Sequence, residues 1–254
     1  MSWQKIKNAL EKISRRFLDL LFPIECLGCG EEKEWLCSKC QAKIKFKTID
    51  QCVVCKETTS LGKTHQTCQE KTKLDGVLIA AEWEDKTLQE IIHKYKYSFV
   101  TGLAEPLSKI LIKKIDPLKR VLWTDELKQT QLTEQQKIIL VPIPLHPRRL
   151  RWRGFNQAEL LAKNIALHFD WPVDSSIILR QKHTKPQAKL KKEVREQNLH
   201  EAFVMKEIQK PKIKDKTVIL IDDVLTTGTT MNECAKILKE AGAREIWGVA
   251  LARG

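Results

Sequence analysis

Asp222 and Asp223 stand side by side, directly after the apolar run Val218-Ile219-Leu220-Ile221 and just before Leu225-Thr226-Thr227-Gly228-Thr229-Thr230. Adjacent carboxylates only accept hydrogen bonds, which suits a vicinal diol. The loop after them offers hydroxyls, backbone N–H groups and the start of a helix, which suit a phosphate. Gly228 permits close approach or a positive φ. The combined pattern fits a phosphorylated sugar.

Such groups work only if something rigid holds them. The run ahead of Asp222 is aliphatic and scarcely alternates, so it predicts a central parallel strand buried on both faces, with the carboxylates at the end where open α/β sheets bind ligands. Cys234, Ile237, Leu238 and Ala241 then recur at helical spacing, and Gly242 is a stop signal. The plainer alternative is a buried strand whose two acids merely cap that helix.

A second chemistry lies near the N-terminus. Seven of the eight cysteines fall between positions 26 and 68, as Cys26xxCys29, Cys37xxCys40, Cys52xxCys55 and His65xxCys68. Each knuckle can present two donors to one ion from a tight turn, and four knuckles make two tetrahedral zinc sites. Neighbouring pairing joins Cys26, Cys29, Cys37 and Cys40 in one site and Cys52, Cys55, His65 and Cys68 in the other; crossed pairing stays open. Disulfides are disfavoured by the absence of an apolar signal core, and the segment is too short and polar to fold without metal. Cys234, apart from these, reads as a core thiol.

Charge is distributed unevenly. The chain of 254 residues carries a net charge of +13, and residues 109–216 alone hold 24 Lys and Arg against 12 Asp and Glu. A polyanion is the matching partner, either pyrophosphate or a nucleic-acid backbone. No run reaches the roughly 18–20 apolar residues needed to span a bilayer, and a cytoplasmic location is expected. Residues 3–21 place Trp3, Ile6, Leu10, Ile13, Phe17 and Leu21 on one helical face among Lys5, Lys12, Arg15 and Arg16. That helix suits either the inner face of a membrane or the protein's own surface. No GxxxxGK[S/T] phosphate loop occurs, which excludes a nucleotide-hydrolysing motor of that kind.

Residues 218–230 resemble the phosphoribosyl-pyrophosphate (PRPP) motif of type I phosphoribosyltransferases, and the wider chain resembles the ComF competence family. A second ComF signature is matched by Val141-Pro142-Ile143-Pro144, the basic turn Leu145 to Arg153, and Arg153-Gly154-Phe155-Asn156-Gln157. By that resemblance Pro144, Leu145 and His146 lie beside the pyrophosphate. Arg148, Arg149, Arg151 and Arg153 form an anion or nucleic-acid site, since guanidinium forks suit phosphate oxygens and Trp152 and Phe155 add stacking faces. The family's flexible-loop pattern appears as Arg180, Thr184, Gln187, Arg195 and Asn198 in an almost wholly polar stretch. The resemblance implies a lid there, with Arg195 joining Asp222 and Asp223 in catalysis, Leu225 to Thr230 holding the 5′-phosphate, and Mg²⁺ accompanying PRPP.

The elements that follow from pattern are a strand at 76–83, helices at 86–97 and 103–114, and a long polar loop at 115–136. Further on come a strand at 137–143, a basic turn opening a helix that ends near Phe169, a short strand at 176–180 and a last strand at 245–251. The expected fold is α/β: a type I phosphoribosyltransferase-like parallel sheet flanked by helices, with a small N-terminal zinc-ribbon module. The expected parts are an amphipathic helix at 1–25, a double zinc ribbon at 26–75 and the phosphoribosyltransferase-like domain at 76–254. By resemblance the protein binds PRPP and acts in competence and DNA uptake, alongside a competence helicase and other DNA-processing proteins. The alternative is a single-stranded DNA-binding module whose PRPP pocket is a sensor or a relic. The acceptor is not identified by any motif.

Overall fold

The computed structural model describes residues 23–122, 137–181 and 202–254. They fall into two compact units, one ending at Ile44 and the other running from Lys45 to Gly254. The expected helix at 3–21 lies outside the described residues.

Sulfur organises the first unit. The chain turns at Cys26 to Cys29, where Gly30 N–H donates to the Cys26 carbonyl at 2.8 Å, and Cys40 sits on a short helix, α1 (Ser38–Lys43). The four sulfurs of Cys26, Cys29, Cys37 and Cys40 lie within 4.8 Å of one another. A Cβ at Gly28 would stand 2.7 Å from Cys40 Sγ, so the turn needs glycine to close around the cluster. Burial works against a thiolate at Cys26. N–H donors from Cys37, Gly28 and Cys29 outweigh it and bring the thiol down to about 6.

The second unit contains the other cluster, Cys52, Cys55, His65 and Cys68, whose donor atoms also gather within 4.8 Å. Cys52 is likewise lowered to about 6: burial opposes this, and backbone N–H groups of Cys55, His65 and Val54 prevail. The ligands are grouped as neighbouring pairs rather than crossed. Both donor sets fit tetrahedral zinc with no open position, the arrangement of a structural site.

The main sheet of this unit is parallel, in the order β1-β6-β5-β2. Its strands are β1 (Gly76–Ile79), β2 (Ile138–Pro142), β5 (Thr217–Leu225) and β6 (Glu245–Arg253). The helices are α2 (Lys86–Tyr97), α3 (Ala104–Leu122), α4 (Pro147–Arg153), α5 (Gln157–Phe169) and α6 (Thr229–Glu240). Two residues each of β3 (Leu179–Arg180) and β4 (Phe203–Val204) form a separate antiparallel pair. Val218 to Ile221 are fully buried between β2 and β6. Val218 and Leu220 join Met231, Cys234 and Leu238 of α6 in one apolar cluster. The alternate residues Ile219 and Ile221 face the opposite side, where α3 and α5 pack on the strands.

Several elements differ from the sequence reading: β1 ends at Ile79 rather than 83, and β3 covers only Leu179–Arg180 of the strand expected at 176–180. The helix expected to end at 114 runs on to Leu122, because Ile115 and Leu118 extend the buried stripe of Leu107 and Leu111 across Pro117. The expected polar loop therefore begins later, and 123–136 lie outside the described residues. The basic turn is a helix in its own right, α4, capped by His146 with Pro147 in its first turn and stopped by Gly154 at φ 73°. Pro142 lies within the strand and is paired with Ile221; β2 is an edge strand, where a missing N–H is tolerated.

The purified protein is expected to contain about two zinc ions per chain by elemental analysis, and Cys29→Ser or Cys68→Ser each to remove about one. A zinc content unchanged by either substitution overturns that cysteine's assignment as a ligand.

Candidate functional site

β5 delivers both acids to the carboxyl edge of the sheet, and they face a polar cavity of about 240 Å³. Its walls come from four elements: Lys96 and Tyr97 at the end of α2, Pro144 and Leu145 after β2, Arg149 and Arg153 on α4, and Arg180 on β3. Asn156 and Gln157 at the start of α5 complete it, and Thr230 joins from the first turn of α6.

The two carboxylates are not equivalent. Asp223 is buried and pairs with Lys96 Nζ at 2.9 Å. Asp222 Oδ1 accepts from the Asp223 N–H at 2.8 Å. Desolvation, and after it the negative charge of Asp223, push the Asp222 carboxyl up to about 7, while Lys96 and Arg180 pull the other way. A buried like-charged pair shares one strongly raised titration. In the free protein near neutral pH Asp222 is therefore about half protonated, an acceptor site built against its own charge.

The opposite wall carries the reverse problem. Burial and then the Arg153 charge lower Arg149, and burial and then the Arg149 charge lower Arg180. Arg153 Nη1 donates to Gln157 Oε1 at 3.0 Å. Arginine has only donors, so this bond fixes the amide with its nitrogen turned away from the guanidinium. Both Arg153 Nε and Gln157 Nε2 are buried without a partner among the described residues. Orphaned buried donors at a cavity wall are what an anion, or the oxygens of a phosphate, would satisfy.

Asn156 is fixed on both sides: its Oδ1 accepts from the Ala158 N–H at 3.1 Å as an N-cap, and its Nδ2 donates to the Ile143 carbonyl at 3.0 Å. Tyr95 Oη donates to the Gln157 carbonyl at 2.9 Å, tying α2 to α5. Burial, then the Asp223 charge, push this phenol far above its ordinary range, so it remains a donor.

The anticipated residues are distributed more widely than one pocket. Asp222, Asp223, Pro144, Leu145, Arg149, Arg153, Arg180 and Thr230 meet at the 240 Å³ cavity. His146 caps α4, accepting the Arg148 N–H on Nδ1 at 3.1 Å, and Leu225 is core. Thr227, Gly228 and Thr229 open onto a different cavity, and Thr226 is exposed. Arg148 and Arg151 are also exposed. Thr184, Gln187, Arg195 and Asn198 lie outside the described residues. Lys96, Tyr95 and the side chain of Gln157 were not singled out as site residues. The partners of Lys96 and Tyr95 are distant in sequence, and only the Asn-Gln helix start gave a local signal.

Beside the cavity mouth, Trp152, Phe99 and Tyr97 are 61%, 59% and 44% exposed. Tyr97 and Trp152 lie 5.8 Å apart between ring centroids, and the Arg153 guanidinium sits 4.9 Å over the Tyr97 ring. Among the described residues, no helix is long and apolar enough to cross a membrane.

Residues 156–254 match the phosphoribosyl transferase domain family, and residues 17–70 match the double zinc ribbon domain family. The chain is 29% identical to the DNA utilization protein YhgH of Escherichia coli, across 84% of this chain and 95% of that protein. It is 28% identical to competence protein ComFC of Streptococcus pneumoniae, across 91% of this chain and all of that one. With competence protein F of Haemophilus influenzae it shares 30% identity over 239 residues, 91% of this chain and 98% of the relative. With a phosphoribosyl transferase domain behind paired zinc-ligand clusters, and likeness along nearly its whole length, the chain belongs to the competence protein F (ComF) family.

Proposed function

We propose that the protein binds PRPP at the β5 edge as a phosphoribosyltransferase-like member of its family and acts in the handling of incoming DNA. The observation that carries this reading is an acidic pair and three arginines in the lining of one small cavity, next to a hydroxyl-bearing turn at a helix start. A pentose bearing phosphates at both ends is complementary to both walls. The names of the relatives, competence protein F and DNA utilization protein, support the biological setting.

In this reading Asp222 and Asp223 accept hydrogen bonds from the ribose hydroxyls, and Leu225 to Thr230 cradle the 5′-phosphate. Arg149, Arg153 and Arg180 draw on the pyrophosphate beside Pro144 and Leu145. Mg²⁺, when bound with PRPP, supplies charge neutralisation for the leaving pyrophosphate. The protein's own contribution is positioning and preorganised charge, so no separate nucleophile is needed. Arg195, assigned to catalysis by the family resemblance, lies outside the described residues.

A second reading adds single-stranded DNA on the rim. The exposed rings of Tyr97, Phe99 and Trp152, with Arg148 and Arg151 nearby in sequence, form the mixture of π-faces and cations that unstacked bases and phosphates recognise.

Calorimetry with Mg²⁺ should detect PRPP binding that strengthens from pH 6 to 8 as Asp222 ionises. Asp222→Asn should weaken it by roughly tenfold or more and flatten the part of the profile that depends on the protein. Equal affinity in the variant removes the carboxylate role. The same substitution should stabilise the free protein at high pH. The folded state holds the Asp222 proton up to about 7, whereas the unfolded chain releases it in the ordinary carboxylate range, so stability falls as pH rises between the two. Asp222→Asn should therefore raise Tm by roughly 2–4 °C at pH 8, with the gap closing toward pH 4. For DNA, affinity for a single-stranded oligonucleotide should drop with added salt at a slope of about −0.7 per phosphate contact. Trp152→Ala should weaken it by roughly 1–3 kcal/mol. Binding indifferent to both salt and Trp152 rejects the rim as the DNA surface.

A further inference from the structure

The loop after β5 has two sides. Val224 near the end of β5 and Thr230 at the start of α6 face the cavity of the carboxylates, whereas Thr227, Gly228 and Thr229 between them face a second cavity of about 510 Å³. Its remaining walls are Val53, Val54 and Lys56 of the second zinc-ligand cluster, Lys71 and Leu74 beyond that cluster, Lys236 on α6, and Arg253 at the end of β6. A volume within roughly 300–1,000 Å³ is that of a small-molecule site and exceeds what a terminal phosphate needs. Four cations line it. Glu233 is the one acid in the lining, and it is paired with Lys236 at 2.7 Å. Val53, Val54 and Leu74 supply an apolar patch among them. Cations around an apolar patch suit an aromatic ring system that carries phosphate.

Position decides what such a ligand would be. β5 has β2 on one side and β6 on the other. The pyrophosphate wall after β2 and the Arg253 wall after β6 therefore flank the loop on opposite sides. In the pentose reading above, on which this inference rests, the anomeric carbon looks toward Arg149 and Arg180, and the 5′-phosphate lies against the loop. The second cavity begins where the 5′-phosphate ends. It is remote from the reacting carbon and is not a place for an acceptor.

We propose that the 510 Å³ cavity receives a nucleotide unit joined to the 5′-phosphate of the bound pentose, so that the protein takes 5′-extended sugars as well as 5′-monophosphates. The extension comes either through a pyrophosphate link, as in ADP-ribose, or through a phosphodiester, as in a nucleic-acid strand. The AMP phosphate of ADP-ribose, or the 5′-phosphate of the preceding nucleotide in a strand, then lies among Lys56, Lys71, Lys236 and Arg253, with the base against Val53, Val54 and Leu74.

The test is competition against PRPP on the full-length, zinc-loaded protein, with ADP-ribose and a 5′-phosphorylated ribodinucleotide as probes. At least one should displace PRPP. Lys71→Glu, on an exposed side chain outside the carboxylate cavity, should weaken that probe by about tenfold, the size of losing one charge-assisted hydrogen bond, and leave PRPP affinity unchanged. Lys236→Gln should act in the same direction. Displacement by ADP-ribose alone identifies the pyrophosphate link, and displacement by the dinucleotide alone identifies the strand. If PRPP binds but neither probe displaces it, or Lys71→Glu weakens PRPP and probe equally, the 5′-extension is wrong and the pentose site survives. Absence of PRPP binding removes both.

Discussion

The site depends on holding two like charges at the end of a strand that has nowhere to move. β5 is hydrogen-bonded on both sides and fully buried from Val218 to Ile221. The carboxylates that follow cannot separate without disturbing the centre of the sheet. Desolvated charges of one sign are costly, and this cost is met in part by Lys96 on Asp223 and in part by protonation of Asp222. The arginines across the cavity repeat the conflict with opposite sign. Arg153 Nε and Gln157 Nε2 remain buried donors without a partner among the described residues, so the cavity keeps unused donors beside its acceptors.

Lys96 is placed by packing as much as by charge. Tyr95 is fully buried, and its hydroxyl is bound to the first residue of α5. Locking Tyr95 locks the last turn of α2, and the next residue then points its amine at Asp223. Gln157 plays a matching part on the other wall. Its carbonyl anchors Tyr95, and its side-chain oxygen holds Arg153. One residue at a helix start thus sets the geometry of both the cation beside the acids and the cation facing them.

This explains which features were legible in the sequence. The acids, the Thr/Gly loop and the eight knuckle residues announce themselves because each works with neighbours a few positions away, within a single turn or strand end. The parallel sheet follows from aliphatic runs that do not alternate. Lys96 is different: its partner is 127 positions away, and on its own helix it reads as one more solvated lysine. Gln157 gives no hint that it serves two partners, since its roles exist only after α2, α4 and α5 have packed. The extension of α3 to Leu122 was hidden for a local reason, the proline at 117, whose breaking tendency was overridden by Ile115 and Leu118 seeking the core.

The second zinc-ligand cluster is built into the same arrangement. Val53 lies between two of its cysteines and belongs to the main apolar core. A Cβ at Gly228 would stand 3.4 Å from a Val53 methyl. Arg253 donates to the Val53 carbonyl at 3.2 Å, and Asn232, in the first turn of α6, accepts from the Thr72 hydroxyl and the Lys73 N–H. The turn after β5, with Gly228 at φ 84°, therefore rests against a turn whose own shape is set by four metal donors. An apolar hood of that size would need a core that residues 52–72 are too polar to form. Metal ligation lets a short polar segment be stiff, and a stiff wall is what a loop needs if its N–H groups are to keep their aim on a phosphate.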